Sequence, residues 1–256
     1  VTLRANSLGI SGNGFMHNDL PLKIEGTAMV VNQQSNFMSI RKGFQSYDGQ
    51  PCGIVKTGAG VLGIIALDSS VWTGFRYVTL KEGTFALGAQ GAGNMLLLDP
   101  GLEVTFTGNA SLTIEKNLTM PDFCIFESGA AVNGAHRLTG RSDGGYKVGT
   151  LTVTGTPRVN TQTFTGTIEG GVGFTWSPAS ASKTFVFSGT SSKSTTTNQL
   201  SVTRGTVRLA NGATFTALHA LNLSGGAETQ FEVTGIPATA FHAANLVLAT
   251  GGETLK

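Results

Sequence analysis

Short apolar-polar alternation that restarts every six to nine residues, mostly behind a glycine, constrains this chain more than any other feature. Leu200-Ser-Val-Thr-Arg-Gly205 runs into Thr206-Val-Arg-Leu-Ala-Asn-Gly212 and then into Ala213-Thr-Phe-Thr-Ala-Leu218. Leu200 with Val202, Val207 with Leu209 and Ala213 with Phe215 fall at period two, which puts each pair on one face of a strand. The pattern continues through Leu221-Asn-Leu-Ser-Gly-Gly226 and Glu228-Thr-Gln-Phe-Glu-Val233. No segment sustains 3.6-residue amphipathicity, so the expected fold is all-β with essentially no long helices. Regular short strands alone also suit an antiparallel sandwich, and internal repeats have to decide.

The repeats favour stacking. Gly83-Thr-Phe-Ala-Leu87 follows Val78-Thr-Leu80, as Gly205-Thr-Val-Arg-Leu209 follows Leu200-Ser-Val202. Looser copies occur at Gly101-Leu-Glu-Val-Thr-Phe106, Gly149-Thr-Leu-Thr-Val-Thr-Gly155 and Phe164-Thr-Gly-Thr-Ile-Glu-Gly170. Such units signal a quasi-one-dimensional architecture with coils of roughly 20 to 25 residues. Composition agrees: charged residues make up only 12% and there are 36 glycines. In a stacked coil, identical side-chain types form ladders along the axis, and like charges there would repel. Phe15, Phe85, Phe106, Phe185, Phe187, Phe215 and Phe231 are expected to stack in the interior.

Val55-Lys-Thr-Gly-Ala-Gly-Val-Leu62 resembles the Lys-Thr-Gly-Ala-Gly-x-Leu core of the passenger-associated repeats of bacterial autotransporters. The steps that follow that core in the family are matched here by Trp72-Thr-Gly74, Tyr77-Val-Thr-Leu80 and Gly83-Thr-Phe-Ala-Leu87. The usual aromatic-Thr-Gly-Gly is Trp72-Thr-Gly-Phe75 in this chain. The match is strongest over residues 53–120, with a weaker version over 149–233. The resemblance implies a right-handed parallel β-helix (β-solenoid) that is secreted or held at the bacterial surface, in association with the outer membrane. Residues 1–256 are expected to form one such domain, an excerpt of a longer protein or a subunit stacked on neighbours, because Val1-Thr-Leu-Arg4 and Leu246-Val-Leu-Ala-Thr-Gly251 carry strand patterns near both ends.

Chemistry-bearing residues are dispersed. The net charge of +2 comes from scattered side chains, and no run of Lys or Arg forms the basic stripe that nucleic acid needs. No apolar run reaches the roughly 18 residues of a membrane span. Cys52 and Cys124 match no zinc motif, and with several coils between them they are expected to remain unpaired, buried thiols. The nine Glu and six Asp form no Asp-x-Asp or Asp-Asp pair, and Glu228 with Glu232 is the nearest approach to one, read as a solvated face. His17, His136, His219 and His242 lie far apart. Gly88-Ala-Gln-Gly-Ala-Gly93 lacks the following Gly-Lys-Ser/Thr of a phosphate loop and reads as a turn. Neither a catalytic centre, a metal site nor a cofactor is expected.

The densest polar stretch runs from His136 to Lys147, inside residues 134–148, which are expected to form a projecting loop. Loops on rigid scaffolds often bind, so His136, Arg141, Asp143, Tyr146 and Lys147 are the candidate contacts. The expected role is a non-catalytic structural or adhesive solenoid: a display passenger, spacer or fibre subunit. Its partners would be neighbouring solenoid domains, a second copy docked through strand edges, surface glycans, or host or matrix proteins. Two alternatives stand beside it, a polysaccharide lyase or hydrolase of the β-helix type and a phage-like receptor-binding fibre.

Overall fold

The computed structural model describes residues 3–5, 7–10, 16–18, 22–64, 73–88, 100–140, 149–190, 192–194 and 199–256. These residues wind a β-solenoid whose sheets are entirely parallel and which is 4% helical. The helical pieces are single 3-10 turns such as Gly129–Asn133 and Gly226–Glu228. Coils advance by the expected repeat: along one face Ile54 pairs with Val78, Val78 with Val104 and Val104 with Ile125.

Four sheets make the walls. One face stacks Ser7–Ile10, Ala28–Gln33, Cys52–Thr57, Phe75–Leu80, Glu103–Phe106 and Cys124–Glu127. Farther along the same face comes a separate sheet of Thr161–Phe164, Thr184–Ser188, Gly205–Ala210, Thr229–Thr234 and Thr254–Leu255. A 14-stranded sheet runs without interruption along the molecule. It stays whole because the long strand Thr214–Leu223 turns a corner: Phe215 pairs with Ser194 near its start, while Leu221 pairs with Leu200 near its end. The fourth sheet, of Leu3–Ala5, Leu22–Ile24 and Phe44–Ser46, closes the N-terminal coils.

Period-two alternation sends one side chain per pair inward, and the inward ones stack into ladders. Met29, Ile54, Val78, Val104 and Ile125 form one such ladder, and Met38, Leu62, Phe85, Leu112, Leu138 and Ile168 another, all buried. Phe85, Phe106, Phe185, Phe187, Phe215 and Phe231 are interior as the sequence implies, and so is Trp176; Phe15 and Trp72 lie outside the described residues.

The Gly-Thr module has a local cause. Gly83 and Gly205 both open strands at positive φ, 70° and 78°. A Cβ on Gly83 would sit 2.3 Å from the Gly58 carbonyl oxygen of the previous coil, and one on Gly205 2.6 Å from that of Lys183. Only glycine meets both demands. Yet the two copies stand on different faces, Gly83–Leu87 in the 14-stranded sheet and Gly205–Ala210 in the five-stranded one. The module is a way of starting a strand after a tight corner rather than a marker of coil register.

Cys52 and Cys124 are both free and buried. They belong to the same face, three coils apart through Phe75–Leu80 and Glu103–Phe106. At ~4.8 Å per coil the gap is about 14 Å, beyond the reach of a disulfide. Burial pushes the Cys52 thiol up to about 11, which leaves it protonated and unreactive.

Candidate functional site

Of the five loop residues singled out by sequence, His136 is described, and it is not a surface group. Its side chain is fully buried. The ring lies 4.5 Å from that of Phe106 and 4.8 Å from that of Phe164, so it takes the place of an aromatic rung in the core. Nε2 is 2.8 Å from Glu127 Oε1, while Nδ1 has no hydrogen-bond partner. Polarity misled the sequence reading here, because a histidine with one buried acceptor can replace a phenylalanine in a ladder. The expected loop also begins later, since Arg137–Gly140 is a strand paired on both sides. Arg141, Asp143, Tyr146 and Lys147 lie outside the described residues.

Glu127 belongs to a side-chain clasp. Backbone pairing lapses between Cys124–Glu127 and Thr161–Phe164, which fall in different sheets. Side chains bridge the lapse: Gln162 accepts from the Ile125 amide at 2.8 Å and donates to the Phe123 carbonyl at 3.0 Å, imitating the missing ladder. The Glu127 carboxylate accepts from the Thr165 amide at 2.6 Å and the Thr165 hydroxyl at 2.9 Å.

Two buried lysines tie corners in a similar way. Lys56 donates to the carbonyls of Thr57, Gly58 and, in the next coil, Glu82 at 2.8, 2.6 and 3.2 Å. Lys183 reaches back to the Pro157 carbonyl at 2.7 Å and the Asn160 side chain at 2.9 Å. Burial pushes the Lys56 ammonium down to about 8, partly opposed by the Glu82 charge. Between that value and the ordinary lysine value near 10.4, the unfolded chain holds a proton that the folded chain has released. Stability should therefore rise with pH across this window. Denaturant titrations of wild type and Lys56→Met at stepped pH should show the wild type gaining about 2–3 kcal/mol relative to the variant. Parallel curves would show that Lys56 keeps its ordinary proton affinity.

Outward carboxylates pair with arginines across coils. Arg158 grips Glu103 with Nε to Oε1 at 2.5 Å and Nη2 to Oε2 at 3.0 Å, its guanidinium 4.7 Å from the Phe126 ring centre. Arg204 meets Glu228 at 2.7 Å, Arg208 meets its register partner Glu232 at 2.6 Å, and Arg137 meets Glu169 at 3.4 Å. Glu228 and Glu232 are thus two separate coil-to-coil ion pairs. The 24-residue separation of each from its arginine, one coil length, was the sequence signal for them.

Among the described residues, two adjoining troughs of about 590 and 400 Å³ share Ala59 and Thr84. They lie where the first face turns into the 14-stranded sheet. The floor carries one outward residue per coil, Val61, Thr84, Ser111 and Arg137 in direct register, with the buried Phe37 in line below Val61. Gln34, Asn36, Glu82 and Asn109 stand along the corner, and Glu115 borders the larger trough. No group of three or more His, Cys, Asp or Glu able to hold a metal ion occurs among the described residues. No described helix is long and apolar enough to cross a membrane.

Compared with known proteins, the chain matches no family model, no curated protein and no solved structure.

Proposed function

We propose that this chain is a non-catalytic, extracellular β-solenoid of the autotransporter-passenger type, acting through its shape and surface as a display scaffold or adhesive rod. The observation that carries the reading is the engagement of five of the described carboxylates. Glu103, Glu169, Glu228 and Glu232 each hold an arginine, and Glu127 is buried against His136. A rod cross-linked from coil to coil in this way suits a display scaffold. Parallel walls around one long main core support the same reading.

The outermost described coil supports contact with another solenoid. Leu246 and Leu248 are register partners of the buried Leu221 and Leu223, and Leu255 of the buried Phe231, yet all three are more than half exposed. They continue the interior ladders by one further coil, in positions that a neighbouring coil of the same register would cover. A neighbouring solenoid coil of the same register, from this protein or from a partner, is the occupant that matches these leucines.

A second reading, glycan cleavage, draws on Glu82 and Glu115 bordering the troughs. One experiment addresses both. The chain is incubated with uronate-containing and neutral polysaccharides, with and without calcium, and its solution mass is followed against concentration. The scaffold reading expects no new reducing or unsaturated ends, and a mass that grows with concentration in wild type but not in Leu246→Lys/Leu248→Lys. Product formation abolished by Glu82→Gln or Glu115→Gln would replace it with the enzyme reading; a constant monomeric mass would remove the docking part.

A further inference from the structure

We infer that the paired troughs hold a linear, neutral oligosaccharide laid along the solenoid axis. The inference deepens the adhesive reading by naming a ligand class for its surface. Three features of the troughs carry it.

The first is periodicity. The floor residues Val61, Thr84, Ser111 and Arg137 are strict register partners in four successive coils, with the buried Phe37 in line below Val61, so the troughs present one new side chain every ~4.8 Å. A linear glycan repeats on a similar length scale, one pyranose per step, and can meet the same kind of contact at each coil. A compact ligand would use only one or two of these rungs.

The second is chemistry. Thr84 and Ser111 bring hydroxyls, Gln34, Asn36 and Asn109 bring planar amides, and Glu82 and Arg137 bring planar groups of opposite charge. Planar groups with two adjacent polar atoms match vicinal hydroxyls, while Val61 offers the apolar surface that sugar C–H faces need. Arg137 is itself tied to Glu169, so the troughs lack the net positive charge that a phosphate or polyuronate chain would demand.

The third is what the walls exclude. An extended peptide binds a sheet by adding a strand at an open edge. Here the strands under the floor, Val61–Ile64, Gly83–Leu87 and Ala110–Ile114, are each paired on both sides. Side-chain contacts alone remain, which is how polyols are held. Phe37 is only 4% exposed, so there is no open aromatic platform, and affinity should be modest.

The test uses the whole chain and calorimetric titration with hexasaccharides of β-1,4-glucan, β-1,4-mannan and β-1,4-xylan. A disaccharide of each and a tetragalacturonate complete the panel. At least one hexasaccharide should bind, at least about tenfold more tightly than its disaccharide, because only the longer chain spans several coils. Ser111→Trp, which fills the middle of the floor, should weaken binding about tenfold or more, and Asn109→Ala severalfold. Thr216→Trp, an exposed position on the same sheet but away from the troughs, should leave affinity unchanged. Circular dichroism melts identify any variant that fails to fold. The inference is overturned by no binding of any hexasaccharide at millimolar concentration, by equal binding to wild type and both trough variants, or by a preference for tetragalacturonate that salt abolishes. Cleavage of a bound hexasaccharide would instead refute the non-catalytic reading and leave the occupant of the troughs standing.

Discussion

Phe187→Ala should lower the thermal midpoint by roughly 10 °C, the largest effect expected of any single truncation in this core. Phe187 is fully buried and touches four other rings: Phe185 and Phe215 with centroids at 5.0 Å, Phe174 at 5.8 Å and Phe164 at 6.2 Å. Phe185 shares its strand, Phe164 is its register partner one coil back, and Phe174 and Phe215 come from the 14-stranded sheet, so the ladders on either side hold the cavity open and little collapse can fill it. Phenylalanine-to-alanine changes in such sites cost about 3–5 kcal/mol, and each kcal/mol moves the midpoint of a chain this size by about 2–4 °C. Differential scanning calorimetry gives the answer directly. A shift under about 3 °C would mean that the aromatic cluster packs loosely and that stability resides elsewhere. Phe187→Leu, which keeps most of the volume, should recover more than half of the loss.

Removal of the Glu127 carboxylate should be comparably severe, for a different reason. Glu127→Ala strips the acceptor from His136 Nε2 and the Thr165 amide at once and leaves the Thr165 hydroxyl only the longer contact to the Ala131 carbonyl, at 3.4 Å. His136 would then have no partner at either ring nitrogen inside a wholly buried slot. Buried donors left unsatisfied cost about 1–3 kcal/mol each, so a loss of about 3–5 kcal/mol is expected in urea titrations. The Thr165 amide should also exchange with deuterium much faster than in wild type. Glu127→Leu combined with His136→Phe should recover the His136 share of the loss, because that polar pair is removed together and the new ring fits between Phe106 and Phe164, while the Thr165 amide still lacks its acceptor. If the double variant is no better than Glu127→Ala alone, the clasp is not what makes this carboxylate matter.

Much of the fold could be read from residues because a solenoid repeats its rules. Alternation in Leu200–Leu209 or Glu228–Val233 depends on two faces of a strand, and every coil obeys it, so local pattern and global architecture coincide. The lysine of Lys56-Thr-Gly-Ala-Gly60 was legible as part of a motif but not as a part of the structure. Its role emerges only when the corner folds back and the carbonyls of Thr57, Gly58 and Glu82 converge on one ammonium. His136 was misplaced because a short polar stretch looks the same whether it projects into water or carries one buried imidazole. The troughs were invisible from sequence, since Phe37, Val61, Thr84, Ser111 and Arg137 become neighbours only after each coil closes. The arginine-glutamate pairs were within reach: a fixed separation of one coil joins Arg204 to Glu228 and Arg208 to Glu232.

The lapse in backbone pairing between Cys124–Glu127 and Thr161–Phe164 sets the grain along which the rod comes apart. In a stacked architecture, cohesion is a chain of nearest-neighbour bonds, and the weakest one decides how far a disturbance travels. Here one wall is spliced by the amide of Gln162 and the carboxylate of Glu127, while the 14-stranded sheet passes the splice unbroken. The two stretches of wall can therefore melt one after the other, with the continuous sheet as a strap that keeps them in alignment for rejoining. A tension applied along the axis would find the splice first, and the rod would yield there by opening like a book along its spine.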